Sequence, residues 1–579
     1  MAAPTAALRQ LEALRLEVGG DVGVRKRELV TRLRRARFGS GATLVRYHEI
    51  LCFMAAYPDD ARLLAMVRRE LLGFSRRSDL ARWRTALADS GIAGTATHYN
   101  YFWMMACWLA LRFPRRFRID WSAPEFEARL KAALPLLLPW HQAEAVKRSA
   151  LPVRAIVDRL RGNMTDAAFL AQAIAGMAGD SFAREHIHDS IDAAFVLEPG
   201  HGFPSRTLAW HSAAPLVFRK TRPSAARPDL RTELRRGPLG VRRVGTGEGR
   251  ALIELARAAM LTRGRDLAAF SWGDLRDVML VDDGDGLAFA LIGSLPERRL
   301  PLPVVHGWLM LRNRVPVGYV QTDCLLAGAE VAFNVFPTFR GAEAAYLFAR
   351  VLACARHLLG ARAFSIEPYQ LGEGNEEGIE SGAWWFYYKL GFRPTAAEPR
   401  RLLAAELERM HRQPRHRSSA ATLLCLASGH LVWQPEAGRR AWLPLVPGLG
   451  LARRWDCGPD APQAALQRFA IAGNPRWPRD ERAAWERLAP FLLALGGVEA
   501  WSAEDKRSAV IALRAKGGLR EIEFLRRVDA HAPLRAALER LLLTSSRRAW
   551  QALARRNRTP AARDQPGFPS TRGRVSTGQ

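Results

Sequence analysis

Residues 302–336 read "LPVVHGWLMLRNRVPVGYVQTDCLLAGAEVAFNVF", and this run restricts the fold more than any other part of the chain. Three segments rich in Val, Leu, Phe and Trp, 305–311, 317–325 and 330–336, are separated by turn formers at Arg312-Asn313-Arg314 and Ala327-Gly328. Short apolar segments joined by turns of that kind specify a meander of three antiparallel strands.

The surrounding sequence has a different period. Up to about residue 185, apolar residues recur every three or four positions, as in "LVRYHEILCFMAAY" and "DAAFLAQAIAGMAG", with Pro58, Pro114 and Pro152 as punctuation. Residues 203–238 lose that period and are rich in Pro and Arg. A strand candidate at 240–244 and an amphipathic helix closed by Gly264 precede the meander. After it come a helix stopped by Gly360, a strand in "ARAFSIEP", an acidic loop and the aromatic helix "SGAWWFYYKLGF". The expected fold class is α+β, a central mixed, mostly antiparallel sheet with flanking helices. The expected division is a helical domain at 1–200, a linker at 201–238, the sheet domain at 239–400, a mainly helical region at 401–556 and a disordered basic tail at 557–579.

Charge limits the partners. Lys plus Arg number 86 against 57 acidic residues, a net charge of +29. A field of that sign attracts nucleic acid, anionic lipid or a phosphorylated ligand without specifying which. The six cysteines form no CxxC pair, which argues against a zinc ribbon or a disulfide framework. The most apolar run, 101–113, is shorter than the ~20 residues a spanning helix needs, and the first thirty residues lack the apolar core of a signal peptide. A cytoplasmic protein with no transmembrane segment is expected.

The chemistry concentrates where a strand runs into a helix, in "NVFPTFRGAEAAYLF". Free amides at a helix start favour an anion, Arg340 adds a cation, and Gly341 permits close approach of a ligand to the backbone. Over "VFPTFRGAEAA" the chain resembles the phosphate-cradling signature of the GNAT superfamily of acyl-CoA-dependent N-acyltransferases, with Val335, Pro337, Phe339, Arg340, Gly341 and Ala345 in place. Over "ESGAWWFYYKLGFRP" it is similar to that family's last long helix at Ala383, Tyr387, Gly391 and Phe392. The likeness spans roughly residues 240–395. It implies that acetyl-CoA or another acyl-CoA is held by Val335, Phe339, Arg340, Gly341, Ala342, Ala344 and Ala345. It further implies Tyr387 as the acid that returns a proton to the leaving thiolate and Glu330 as the base for an amine acceptor.

One residue departs from the signature: Glu343 stands where a glycine is usual. Like charges ~4–6 Å apart near a surface cost about 3 kcal/mol, so phosphate binding requires that Glu343 point away or pair with Arg340. Glu367, Glu376, Glu377 and Glu380 crowd the loop before the aromatic helix and read as a solvated acidic loop or a receiver for a cationic amine. His188 and Asp192 share a helical face, as do metal pairs, but no third ligand follows at a defined spacing, and no metal is expected. The sequence therefore predicts an N-acyltransferase. Its alternative is a non-catalytic relative that binds nucleic acid or another polyanion through arginine-rich surfaces.

Overall fold

The computed structural model describes residues 2–435 and 460–543, apart from Pro124, His201, Ala225 and Asn474. The tail expected at 557–579 lies outside the described residues.

The fold is α+β, built on a nine-stranded sheet in the order β11-β12-β10-β9-β8-β7-β6-β5-β4. The strands are β4 (Gly240–Arg243), β5 (Gly273–Gly284), β6 (Leu287–Ser294), β7 (Val304–Arg312), β8 (Val315–Leu325), β9 (Gly328–Val335), β10 (Ala363–Ile366), β11 (Arg393–Pro394) and β12 (Leu431–Trp433). The meander expected from the sequence is β7–β8–β9, with every pair antiparallel. Its first turn has positive φ at both Asn313 (47°) and Arg314 (78°), the geometry of a tight hairpin that follows strand twist. The second turn lies one residue earlier than the glycine suggested. Leu325 pairs with Gly328, so the turn is Leu326-Ala327, with Leu326 at φ 54°.

β6 is apolar up to its last residue, Ser294, and all eight of its residues are buried, as a strand covered on both faces must be. β8 and β9 differ from it. Along both strands buried residues alternate with half-buried ones, so Tyr319, Gln321 and Asp323 share a partly open face with Glu330, Ala332 and Asn334. The opposite face packs against the Ala344–Leu359 helix, where Phe333 meets Phe348 at 5.1 Å.

Three expectations need correction. The region 1–200 is not purely helical, because it carries a separate three-stranded sheet of β1 (Thr97–Tyr99), β2 (Phe117–Ile119) and β3 (Phe195–Leu197) with its own apolar core. Three-residue strands are too short to show a period of two. The sheet also continues past residue 400, since β12 inserts between β10 and β11 and pairs antiparallel with both. Finally, the Pro- and Arg-rich segment is strapped down rather than free. Arg219 N donates to the Pro58 carbonyl, Val217 N to Asn313 Oδ1, and Arg350 on the Ala344–Leu359 helix donates to the Glu233 and Arg236 carbonyls. The apolar run at 101–113 forms the Trp103–Arg112 helix with one buried face. Among the described residues no helix is long and apolar enough to cross a membrane.

Candidate functional site

The strand-to-helix junction is built as its residues dictate. β9 ends at Val335, Pro337–Phe339 forms a single 3-10 turn, and the Ala344–Leu359 helix follows. Phe339 is buried and stacks on Phe53 of the Gly41–Ala56 helix at 6.4 Å, which fixes the turn from behind. Gly341 has φ 82°, and a Cβ placed on it would meet no atom within 4 Å. The backbone thus requires glycine there, and the space in front of it is open. Among the described residues the amides of 341–346 donate no hydrogen bond; the first in this stretch to do so is Leu347, to the Glu343 carbonyl.

Glu343 is turned away from that opening. Its carboxylate forms an ion pair with Arg312 at 2.9 Å and accepts a hydrogen bond from Arg219 at 3.0 Å, and the residue is only 6% exposed. The repulsion expected from the sequence is absorbed by two guanidinium groups, neither of them Arg340. Arg340 has other partners. Its Nε donates to the Val335 carbonyl at 3.1 Å, and its guanidinium grips Glu377 on the Glu376–Glu380 helix. Glu377 also accepts from Arg265 at 2.7 Å. Burial would raise the Glu377 carboxyl, but Arg340 and Arg265 together hold it below its ordinary value.

β9 and β10 run parallel but pair only from Gly328 to Glu330, after which β9 has no strand neighbour on that side. Glu330 sits where the two strands part. Directly across β8–β9 from it is Asp323, and Ser365 on β10 is its parallel partner. His430 Nε2 lies 3.1 Å from Glu330 Oε2. Burial, together with the charges of Glu330 and Glu367, pushes the Asp323 carboxyl up to about 7, although Gln321 donates to it at 2.9 Å. Glu367, just beyond β10, is raised by burial and by Glu330. The partly open sheet face is therefore acidic near Asp323, Glu330 and Glu367 and basic near Arg265 and Arg340. At 3.3 Å per residue Glu330 and Val335 lie about 16 Å apart along β9.

Tyr387 occupies a different environment. On the Ala383–Lys389 helix it packs against Phe348, Phe386 and Phe392, at ring distances of 5.3, 5.1 and 5.9 Å, and burial alone raises its phenol. The structure thus brings Arg340, Gly341, Ala342, Ala344 and Ala345 into one turn and places Glu330 at the far end of the same strand. Tyr387 lies inside an aromatic box. The metal-like pair does not converge: His188 stacks on Phe195, while Asp192 leaves its helix at φ 48° and bonds to Asn100 and Arg129.

Comparison with protein-family models, with curated proteins and with solved structures returned no match. The functional reading rests on these side chains. Sequence reasoning missed Asp323, Arg265 and His430. Asp323 had a signal, because counting outward from a turn at Leu326-Ala327 places it opposite Glu330.

Proposed function

We propose that this protein transfers an acyl group from an acyl-CoA to a cationic amine. The observation carrying the proposal is the carboxylate cluster of Asp323, Glu330 and Glu367 where β9 and β10 separate, with Asp323 raised to about 7. An ammonium group is attracted there, and a carboxylate of that basicity accepts its proton near neutrality. The amine then attacks the thioester carbonyl, a C–N bond forms and the C–S bond breaks. The second proton on the nitrogen goes to the departing thiolate, so one proton is released per turnover. The free amides of 341–346 and the inward rotation of Glu343 suit the donor's phosphates. Tyr387 is given a packing role, because a phenol raised above its usual value of about 10 does not readily protonate a thiolate near 8.5.

Calorimetric titration with acetyl-CoA tests the donor half. Binding that falls about tenfold or more in Gly341→Val supports the proposal, and no heat at millimolar donor sinks it. For the acceptor half, Asp323→Asn should slow acetylation of a polyamine such as spermidine by about 10²–10⁴-fold while leaving acetyl-CoA affinity unchanged. In the unsubstituted protein the rate should rise with pH through about 7, as Asp323 ionises.

A second reading is favoured by one surface. Arg400, Arg401, Arg409 and Arg412 on the Ala397–Arg412 helix are exposed, as are Arg415 and Arg417 beyond it. On this reading the helix binds nucleic acid, and retention of a DNA duplex would fall steeply with salt.

A further inference from the structure

A cavity of about 350 Å3 lies where the Gly41–Ala56 helix, the Ala61–Gly73 helix, the 206–210 segment of the strap and the start of β8 meet. Its walls are largely apolar, formed by Ala55, Leu71, Val315 and the indole of Trp210. Leu72 and Leu208 stay 65% and 51% exposed at its rim. At roughly 30 Å3 for a water-sized group, the space admits about ten non-hydrogen atoms, which is at the small end for a ligand pocket.

The polar groups of the cavity are not equally committed. Thr207 Oγ1 is engaged by His48 at 2.8 Å and by the Ala93 amide. Arg206 is fixed on Glu49 at 3.1 Å and on the Ser90 carbonyl. Arg68 has no acidic partner among the described residues. It stacks over Trp210, and Arg314 approaches the same indole at 5.5 Å, also without a carboxylate. Burial and the charge of Arg314 both lower the Arg68 guanidinium, so two like charges flank one aromatic plane at the edge of an apolar hole. An anion joining the two guanidinium groups would relieve their repulsion, and the hole rewards an anion with an apolar chain.

We infer that this cavity binds a carboxylate carrying a short apolar chain, with the headgroup at Arg68 in the field of Arg314 and the chain against Leu71 and Val315. The site is independent of the proposed acyl transfer. Because four separate segments form its walls, occupancy ties the N-terminal helices to the sheet and raises the melting temperature.

Octanoate, octanol, octylamine and acetate titrated separately against the full chain test this, by calorimetry and by thermal melting. Octanoate should bind and raise the melting temperature, octanol and acetate should bind at least tenfold more weakly, and octylamine should not bind. Arg68→Gln should weaken octanoate about tenfold, the usual loss for a charged hydrogen bond, and Ala209→Trp should abolish binding by filling the cavity. Equal binding of octanol or acetate overturns the inference, as does octanoate binding unchanged in both variants. Should Ala209→Trp fail to fold, Leu208→Asp at the exposed rim replaces it, and unaltered octanoate affinity there is equally fatal.

Discussion

Two carboxylates near the start of the Ala344–Leu359 helix are each held between two arginines, and the difference between them separates architecture from function. Glu343 lies between Arg312 and Arg219, with side chains 5%, 5% and 12% exposed. Glu377 lies between Arg340 and Arg265, with side chains 41%, 40% and 24% exposed. The first cluster is sealed behind the turn and joins the helix start to the β7–β8 hairpin and the strap. The second is open to solvent and bridges the arginine of the phosphate-like turn to the segment after the Thr246–Leu261 helix. A sealed ion pair cannot exchange partners without unfolding its surroundings. An open one can give up its carboxylate to an incoming anion, and on the proposed reading Glu377 holds the place of the donor's negative group.

The largest effect expected from this contrast is on stability. Removing one partner of a buried pair strands the others, at a cost of about 3–5 kcal/mol. Glu343→Ala should therefore lower stability by that amount in denaturant unfolding. Glu377→Ala, in a half-exposed cluster, should lose less than about 1 kcal/mol. Equal losses would erase the distinction.

Affinity should show the reverse order. Arg340→Ala should weaken acetyl-CoA about tenfold with little change in melting temperature, since a charged hydrogen bond to a phosphate is worth about 1.5–3 kcal/mol. Arg312→Ala should lower the melting temperature and leave the affinity of the folded protein unaltered. A smaller effect of opposite sign is expected for Glu377→Gln, which frees Arg340 without removing it. Acetyl-CoA affinity should rise several-fold by calorimetry, and a fall would show that Glu377 positions Arg340 instead of competing for it.

The contrast between the two clusters also marks how far the sequence could be read. The meander was legible because strand period and turn chemistry are local: β7 spans Val304–Arg312 where 305–311 was expected. The turn at Gly341 was legible because a strand running into a helix with glycine between them has few geometries. The partners of Glu343 were not, since Arg312 and Arg219 are 31 and 124 residues away and only the closed fold brings them together. Asp323 was missed for a finer reason. A glycine at 328 drew the expected turn one residue too far, which sets Leu325 rather than Asp323 opposite Glu330 and so hides the carboxylate pair. β12 could not be placed because both of its partners, β10 and β11, lie on the other side of the Ala397–Arg412 helix in sequence.

pH gives the smallest effect, and it tests the open cluster through the charge of Glu377. Glu377 ionises below the ordinary carboxylate value of 4.5 in the folded chain. Its stabilising contribution is therefore complete above 4.5 and is lost as pH falls through the lower folded value, because the unfolded chain takes up the proton first. Acid titration of the unsubstituted protein against Glu377→Gln should show a slight stability advantage for the former at pH 6 that shrinks as pH falls below 4.5. Over the same interval protonation releases Arg340, and the affinity of the unsubstituted protein for an anion such as sulfate should approach that of the Gln variant. An affinity gap that does not narrow as pH falls below 4.5 would mean that the carboxylate charge is not what occupies the turn.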